Sequence, residues 1–173
     1  MHRFVVRVVL LAVTLVAAAP AASASATTLL HLDGIGPLRL GMSRTAAVAT
    51  GWLSNRAAGC ELASPRPITY RLAGRRSPDG LRGVAEFDSG KLTDLSFTRG
   101  VRTATGVRVE RTTSARMVAR YRAAGFLASA TFVDTFSGTF VRVRRRNGRE
   151  VLGAFTQGRV ISTLAIPAVR VCE

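Results

Sequence analysis

Apolar residues cluster most densely at the start of the chain. From Val8 to Ala19 only Thr14 breaks the run; Arg3 and Arg7 stand before it, and Pro20, Ala21, Ala22, Ser23, Ala24, Ser25 and Ala26 follow. A positive lead, an apolar segment and two overlapping Ala-x-Ala patterns predict a cleavable signal peptide over residues 1–26, cut after Ala26 or, alternatively, Ala24. The run falls short of the roughly 20 residues that a spanning helix needs. No cysteine stands near the cut to accept a lipid, and nothing downstream is apolar enough to span. The expected product is secreted or otherwise extracytoplasmic, with no transmembrane segment after cleavage.

Beyond residue 26 the pattern changes to short alternating stretches. Stretches 68–72, 83–88 and 92–98, and again 139–145, 151–156 and 160–166, read as strands joined by tight turns, in two groups. Ser77-Pro78-Asp79-Gly80, Ser89-Gly90 and Gln157-Gly158 read as turns. Asn147-Gly148 reads as a type I′ hairpin turn, in which both central residues take positive φ. Ahead of each group comes a short strand, a hydroxyl cap and a helix: 38–40, Ser43 and 44–51, then 107–109, Thr112 and 113–120. In each case an apolar residue precedes an aromatic by four positions, Val48 with Trp52 and Met117 with Tyr121. That spacing sets the pair on one helix face, toward the core.

The two groups are one unit repeated at an offset of 68–69 residues. Phe87 corresponds to Phe155, and Leu95 and Phe97 correspond to Leu164 and Ile166. The expected fold is α+β: a tandem repeat of short helix plus antiparallel sheet, residues 27–104 and 105–173, with the helices on one face of the sheet.

The string Gly36-Pro37-Leu38-Arg39-Leu40-Gly41-Met42-Ser43, with a short helix and a glycine after it, resembles the opening of exported actinobacterial proteins of uncharacterised function; Val169-Arg170-Val171-Cys172-Glu173 is similar to their ends. A Gly-Met-Ser helix start before a curved antiparallel sheet also resembles two further groups. They are the beta-lactamase inhibitor protein, built from two such units, and the small lipoprotein of the outer-membrane barrel-assembly machinery, built from one. The resemblance implies a two-unit curved sheet and, through the inhibitor, blockade of a secreted hydrolase. The second unit departs from it with Glu110-Arg111 in place of Gly41-Met42, and the lipoprotein's lipidated cysteine is absent. Where the inhibitor presents an aromatic concave sheet, the sheet expected here is rich in arginine.

The two cysteines, Cys60 and Cys172, both fall in the mature part, and an even count in an exported chain favours a disulfide. The formal net charge is +15, or +13 once Arg3 and Arg7 leave with the leader. Lys91 is the single lysine, an imbalance that a GC-rich genome produces whatever the function. The charge itself favours polyanions and acidic surfaces as partners.

Catalytic chemistry finds little support. His31 is the one histidine of the mature part, placed ahead of the expected domain as a solvated tail residue. Neither cysteine has a partner at metal-ligand spacing, so no metal or other cofactor is expected. There is no Gly-x-Ser-x-Gly elbow for a serine nucleophile. Asp88-Ser89-Gly90 and Gly34-Ile35-Gly36 read as turns. Asp88 with Asp94 is the closest carboxylate pair that a hairpin could bring together, more often a surface arrangement than an acid–base dyad.

The candidate site is basic. In the segment 140–149, Val141 and Val143 face one way and Arg142, Arg144 and Arg146 the other, joined at the turn by Arg149; Arg71, Arg75, Arg76 and Arg82 of the first unit are candidates to extend the stripe. Such arginines also serve simply to solvate a sheet face. The expected role is non-catalytic recognition of a protein or an anionic cell-envelope polymer. Nucleic acid fits poorly, since the chain is exported and its sequence offers no aromatic stacking platform. N-terminal sequencing of secreted material should begin at Thr27; an intact Met1 would overturn the leader.

Overall fold

The computed structural model describes residues 27–59 and 67–170. The expected leader, Cys60 and Cys172 lie outside them. The fold is mixed α+β, with strands β1 (Thr28–His31), β2 (Gly34–Ile35), β3 (Leu38–Arg39), β4 (Ser54–Ala58), β5 (Ile68–Arg71), β6 (Arg82–Asp88), β7 (Lys91–Arg99), β8 (Val101–Thr103), β9 (Leu127–Val133), β10 (Gly138–Arg144), β11 (Glu150–Thr156) and β12 (Ile161–Ile166). Helix α1 (Arg44–Ala49) precedes β4 and α2 (Ser114–Ala123) precedes β9, with a single 3-10 turn at Asp134–Phe136. An eight-stranded antiparallel sheet has the order β4-β5-β6-β7-β12-β11-β10-β9, beside a four-stranded sheet ordered β3-β2-β1-β8. No helix among the described residues is long and apolar enough to cross a membrane.

The six strands expected between the turns all form, within two residues at each end. Their apolar positions build one core: Ala85 and Phe87 on β6, Leu95 and Phe97 on β7, Val141 and Val143 on β10, Leu152 and Ala154 on β11, and Leu164 and Ile166 on β12 are all buried. Helix α2 lies against β9 and β10 and sends Met117 and Tyr121 into that core, with Tyr121 edge-on to Phe126.

The first helix departs from its expected form. It spans six residues, because the Thr50 hydroxyl donates to the Ala47 carbonyl and Gly51 turns the chain at φ +75. Trp52 therefore lies beyond the helix and Val48 is 42% exposed, so the expected Val48–Trp52 stripe does not form. The indole packs instead over Gly36, whose φ is +50 and where a Cβ would sit 2.2 Å from the ring.

Ser43 caps α1, its hydroxyl accepting from the Ala46 N–H, but the cap of α2 is Thr113 rather than Thr112. Thr113 has the extended backbone a cap requires. Thr112 is buried in the preceding turn, where its hydroxyl accepts from the Arg108 N–H. The stretch 107–109 forms no strand: Arg108 makes one bridge to Arg102, although Val107 and Val109 are buried.

Two turns differ in type. Asn147 keeps an ordinary φ and only Gly148 is positive (φ +82); the Gly148 N–H donates to Arg145 O and the Arg145 N–H to Arg149 O, a type I turn with a glycine bulge. Both central residues are positive at Ser89-Gly90, between paired Asp88 and Lys91. His31 is exposed, but it belongs to the folded body, not to a tail ahead of it. Its strand β1 pairs with β2 and β8 and buries Leu30.

Met117→Ala should cost about 2–5 kcal/mol in urea unfolding, whereas Val48→Ala should stay within about 0.5 kcal/mol. Equal losses would mean that α1 packs as deeply as α2.

Candidate binding face and its acidic clasp

Side chains alternate across a strand, so the face of the eight-stranded sheet away from the core displays the intervening residues. Val84 and Glu86 of β6, Asp94 and Ser96 of β7, Thr163 of β12, Phe155 of β11 and Phe140 of β10 all line one cleft of about 530 Å³. Phe140 and Phe155 are register partners with ring centroids 4.8 Å apart, and Phe136, from the 3-10 turn, meets Phe140 edge-on at 5.7 Å. Gly138 makes room for them: a Cβ there would lie 2.4 Å from the Phe155 ring.

The chain after β12 returns across this face. Ala168, Val169 and Arg170 line the same cleft, and Gly153 on β11 lets the backbone lie close, since a Cβ at that position would stand 2.5 Å from the Val169 nitrogen. Arg170 Nη1 donates to Glu86 Oε1 at 2.8 Å, and its Nη2 pairs with Asp94 Oδ2. Glu86 and Asp94 are themselves register partners, and both are buried. One guanidinium thus holds two facing carboxylates. Burial pushes the Asp94 carboxyl above the usual carboxylate range, and the Arg170 charge beside it offsets part of that rise.

Glu86 escaped the sequence reading, which paired Asp94 with Asp88. Counting straight back from the two-residue turn would set Asp94 opposite Ala85. A register shift between Glu86 and Phe87 moves it opposite Glu86 instead, while Asp88 sits at the turn across from Lys91. The available signal was a lone acid inside the apolar run Val84-Ala85-Glu86-Phe87.

The arginines divide. Val141 and Val143 are buried while Arg142 and Arg144 are exposed, on the same face as Phe140. Arg146 and Arg149 lie in the turn beyond the end of β10, so the strand stripe is two residues long, not three. Arg71 shares the cleft face through its register with Val84. Arg75 and Arg76 do not extend the stripe; they border a separate hollow with Ala49 and Gly51, beside α1. Arg82 stands opposite Arg99 at a bulge, its Nη1 donating to Leu81 O. The middle of the face is therefore polar, with Glu86, Asp94, Ser96 and Thr163 on β6, β7 and β12, an aromatic cluster beside them and arginine toward the margins, so the face is less rich in arginine than expected and holds a group of phenylalanines.

Among the described residues no three His, Cys, Asp or Glu side chains come together as metal ligands. No family model, curated protein or solved structure matches the chain.

Because the folded state holds the Asp94 proton more tightly than the unfolded chain does, this group adds stability as pH falls from its raised value toward the ordinary one, and withdraws it as pH rises. Arg170→Met leaves two buried carboxylates facing each other. It should lower stability by about 1–3 kcal/mol at neutral pH, the half-exposed guanidinium being partly screened. The deficit should shrink as the carboxylates protonate on acidification, as measured by thermal melts across pH. A deficit that grows toward acid would remove the clasp.

Proposed function

We propose that this chain is an exported, non-catalytic binding protein whose cleft face receives a protein partner with an apolar anchor ringed by acidic groups. The observation that carries this reading is the Phe136, Phe140 and Phe155 cluster bordered by Arg142 and Arg144. A shallow aromatic floor suits an inserted side chain, and the marginal arginines suit an acidic rim. An anionic envelope polymer would use the arginines but leave the aromatic floor idle. The carboxylates do not favour catalysis, because Arg170 engages both.

The same reading includes a tandem repeat with both helices on one face. The strand order supports it: β4 to β7 run inward from one edge and β9 to β12 from the other. Leu95 pairs with Ile166 and Phe97 with Leu164, so exchanging the corresponding residues of the two units returns the same pairing. Ala47 of α1 and Met117 of α2 enter one buried cluster, which supports a shared helical side. It also includes a Cys60–Cys172 disulfide, contributing about 4–5 kcal/mol by closing a long loop. Gly59, one residue before Cys60, and Arg170, two residues before Cys172, line the same cleft. A mass two hydrogens lower without reductant than with it would bear out the bond; identical masses would refute it.

A second reading, inhibition of a secreted hydrolase, gains from the aromatic floor, the feature by which the beta-lactamase inhibitor protein was expected to differ.

Mature protein should retain a partner from the native secretome and envelope. Phe140→Ala should weaken that binding about tenfold or more, and the Arg142→Ser/Arg144→Ser pair should weaken it most at low salt. Retention unchanged by either variant removes the cleft face as the site. Saturable one-to-one titration of a secreted hydrolase, indifferent to moderate salt, would instead select inhibition.

A further inference from the structure

At one end of the eight-stranded sheet, β9 follows β10 in unbroken register from Leu127 opposite Arg144 to Val133 opposite Gly138. Among the described residues no strand covers its other side. Exposed edges are ordinarily guarded by charge, proline or a bulge. The opposite edge obeys: β4 carries Arg56 and a register shift where Asn55 takes φ +49. Strand β9 has no charged residue, no proline and no bulge, and its Leu127 and Phe132 are 54% and 60% exposed.

The surroundings of β9 are polarised. On the cleft side, Arg142 stands opposite Ser129 and Arg144 opposite Leu127. Arg122 of α2 lines the same hollow as these two arginines and donates through Nε to Ala128 O at 2.8 Å. On the other side, Ala130 and Phe132 share the face of buried Ala128 and are exposed.

We propose that β9 is the docking edge for an extended acidic segment of the partner protein, added as a ninth strand. Backbone hydrogen bonds to β9 would hold the segment, and alternate side chains would give selectivity. Acidic residues on one face meet Arg142 and Arg144, and apolar residues on the other cover Phe132. A second copy of this chain suits the edge poorly, because it would align the arginines of two strongly basic chains on one face. The inference rests on the reading that the Arg142 and Arg144 face meets an acidic partner, and adds how the backbone is engaged.

The probe is a capped peptide of about ten residues alternating glutamate and valine, titrated into mature protein by fluorescence anisotropy. Two further peptides carry N-methyl groups on one or the other alternate set of amides, leaving charge unchanged. One methylated phase should bind about tenfold more weakly and the other nearly as well as the parent, because only one edge of an added strand meets β9. Arg142→Ser/Arg144→Ser should weaken the parent peptide too. If both phases bind like the parent, strand addition fails while the arginine reading stands. If methylation matters and the arginine variant does not, the acidic preference fails. If no peptide binds, or if the free protein sediments as a dimer that Ala130→Lys separates, the proposal is overturned.

Discussion

Three residue pairs join the two halves of the eight-stranded sheet: Leu95 with Ile166, Ser96 with Ala165 and Phe97 with Leu164, between β7 and β12. Everything else is arranged around this seam. Leu95, Phe97, Leu164 and Ile166 are fully buried and belong to the core, while Ser96, on the opposite side, lines the cleft. Strands far apart in sequence meet here, so chain-closure entropy opposes the contact until burial of four large side chains repays it. Neither half would present a cleft without the other. The Phe140 and Phe155 pair comes from one side of the seam, and Val84, Glu86 and Asp94 come from the other.

The clasp by Arg170 is a second tie across the same seam. Two carboxylates facing each other on neighbouring strands repel, and burial raises that cost. A guanidinium presents several donors in one plane and can serve both, which an ammonium does less well. The pair is thereby turned from a liability into an anchor for the segment that follows β12. The anchor keeps the returning segment pressed on the sheet, where Val169 supplies part of the apolar lining.

The central strands were legible because they are short apolar-rich runs that end at Gly-containing turns, and β10, with Val141 and Val143 against Arg142 and Arg144, adds a clean alternation. The failures have local causes. Strand β9 reads Leu-Ala-Ser-Ala-Thr-Phe-Val, with small residues that blur its period, and β1, β2 and β3 are too short to show one. A single bulge hid the Glu86–Asp94 pair, since register cannot be counted through an extra residue. The aromatic floor was invisible for a different reason. Phe136 arrives from a turn and Phe155 from another strand, so no window of sequence holds the cluster with Phe140.

Gly153 carries a consequence for how the face is inherited. The returning segment lies flush only because this residue has no side chain, its neighbour's nitrogen standing 2.5 Å from where a methyl would be. One added carbon would lift the strap at its middle, and Arg170, farther along, would swing away from both acids. Descendants of this chain can thus change rim side chains without disturbing the strap, while the depth of the cleft stays hostage to a single hydrogen atom.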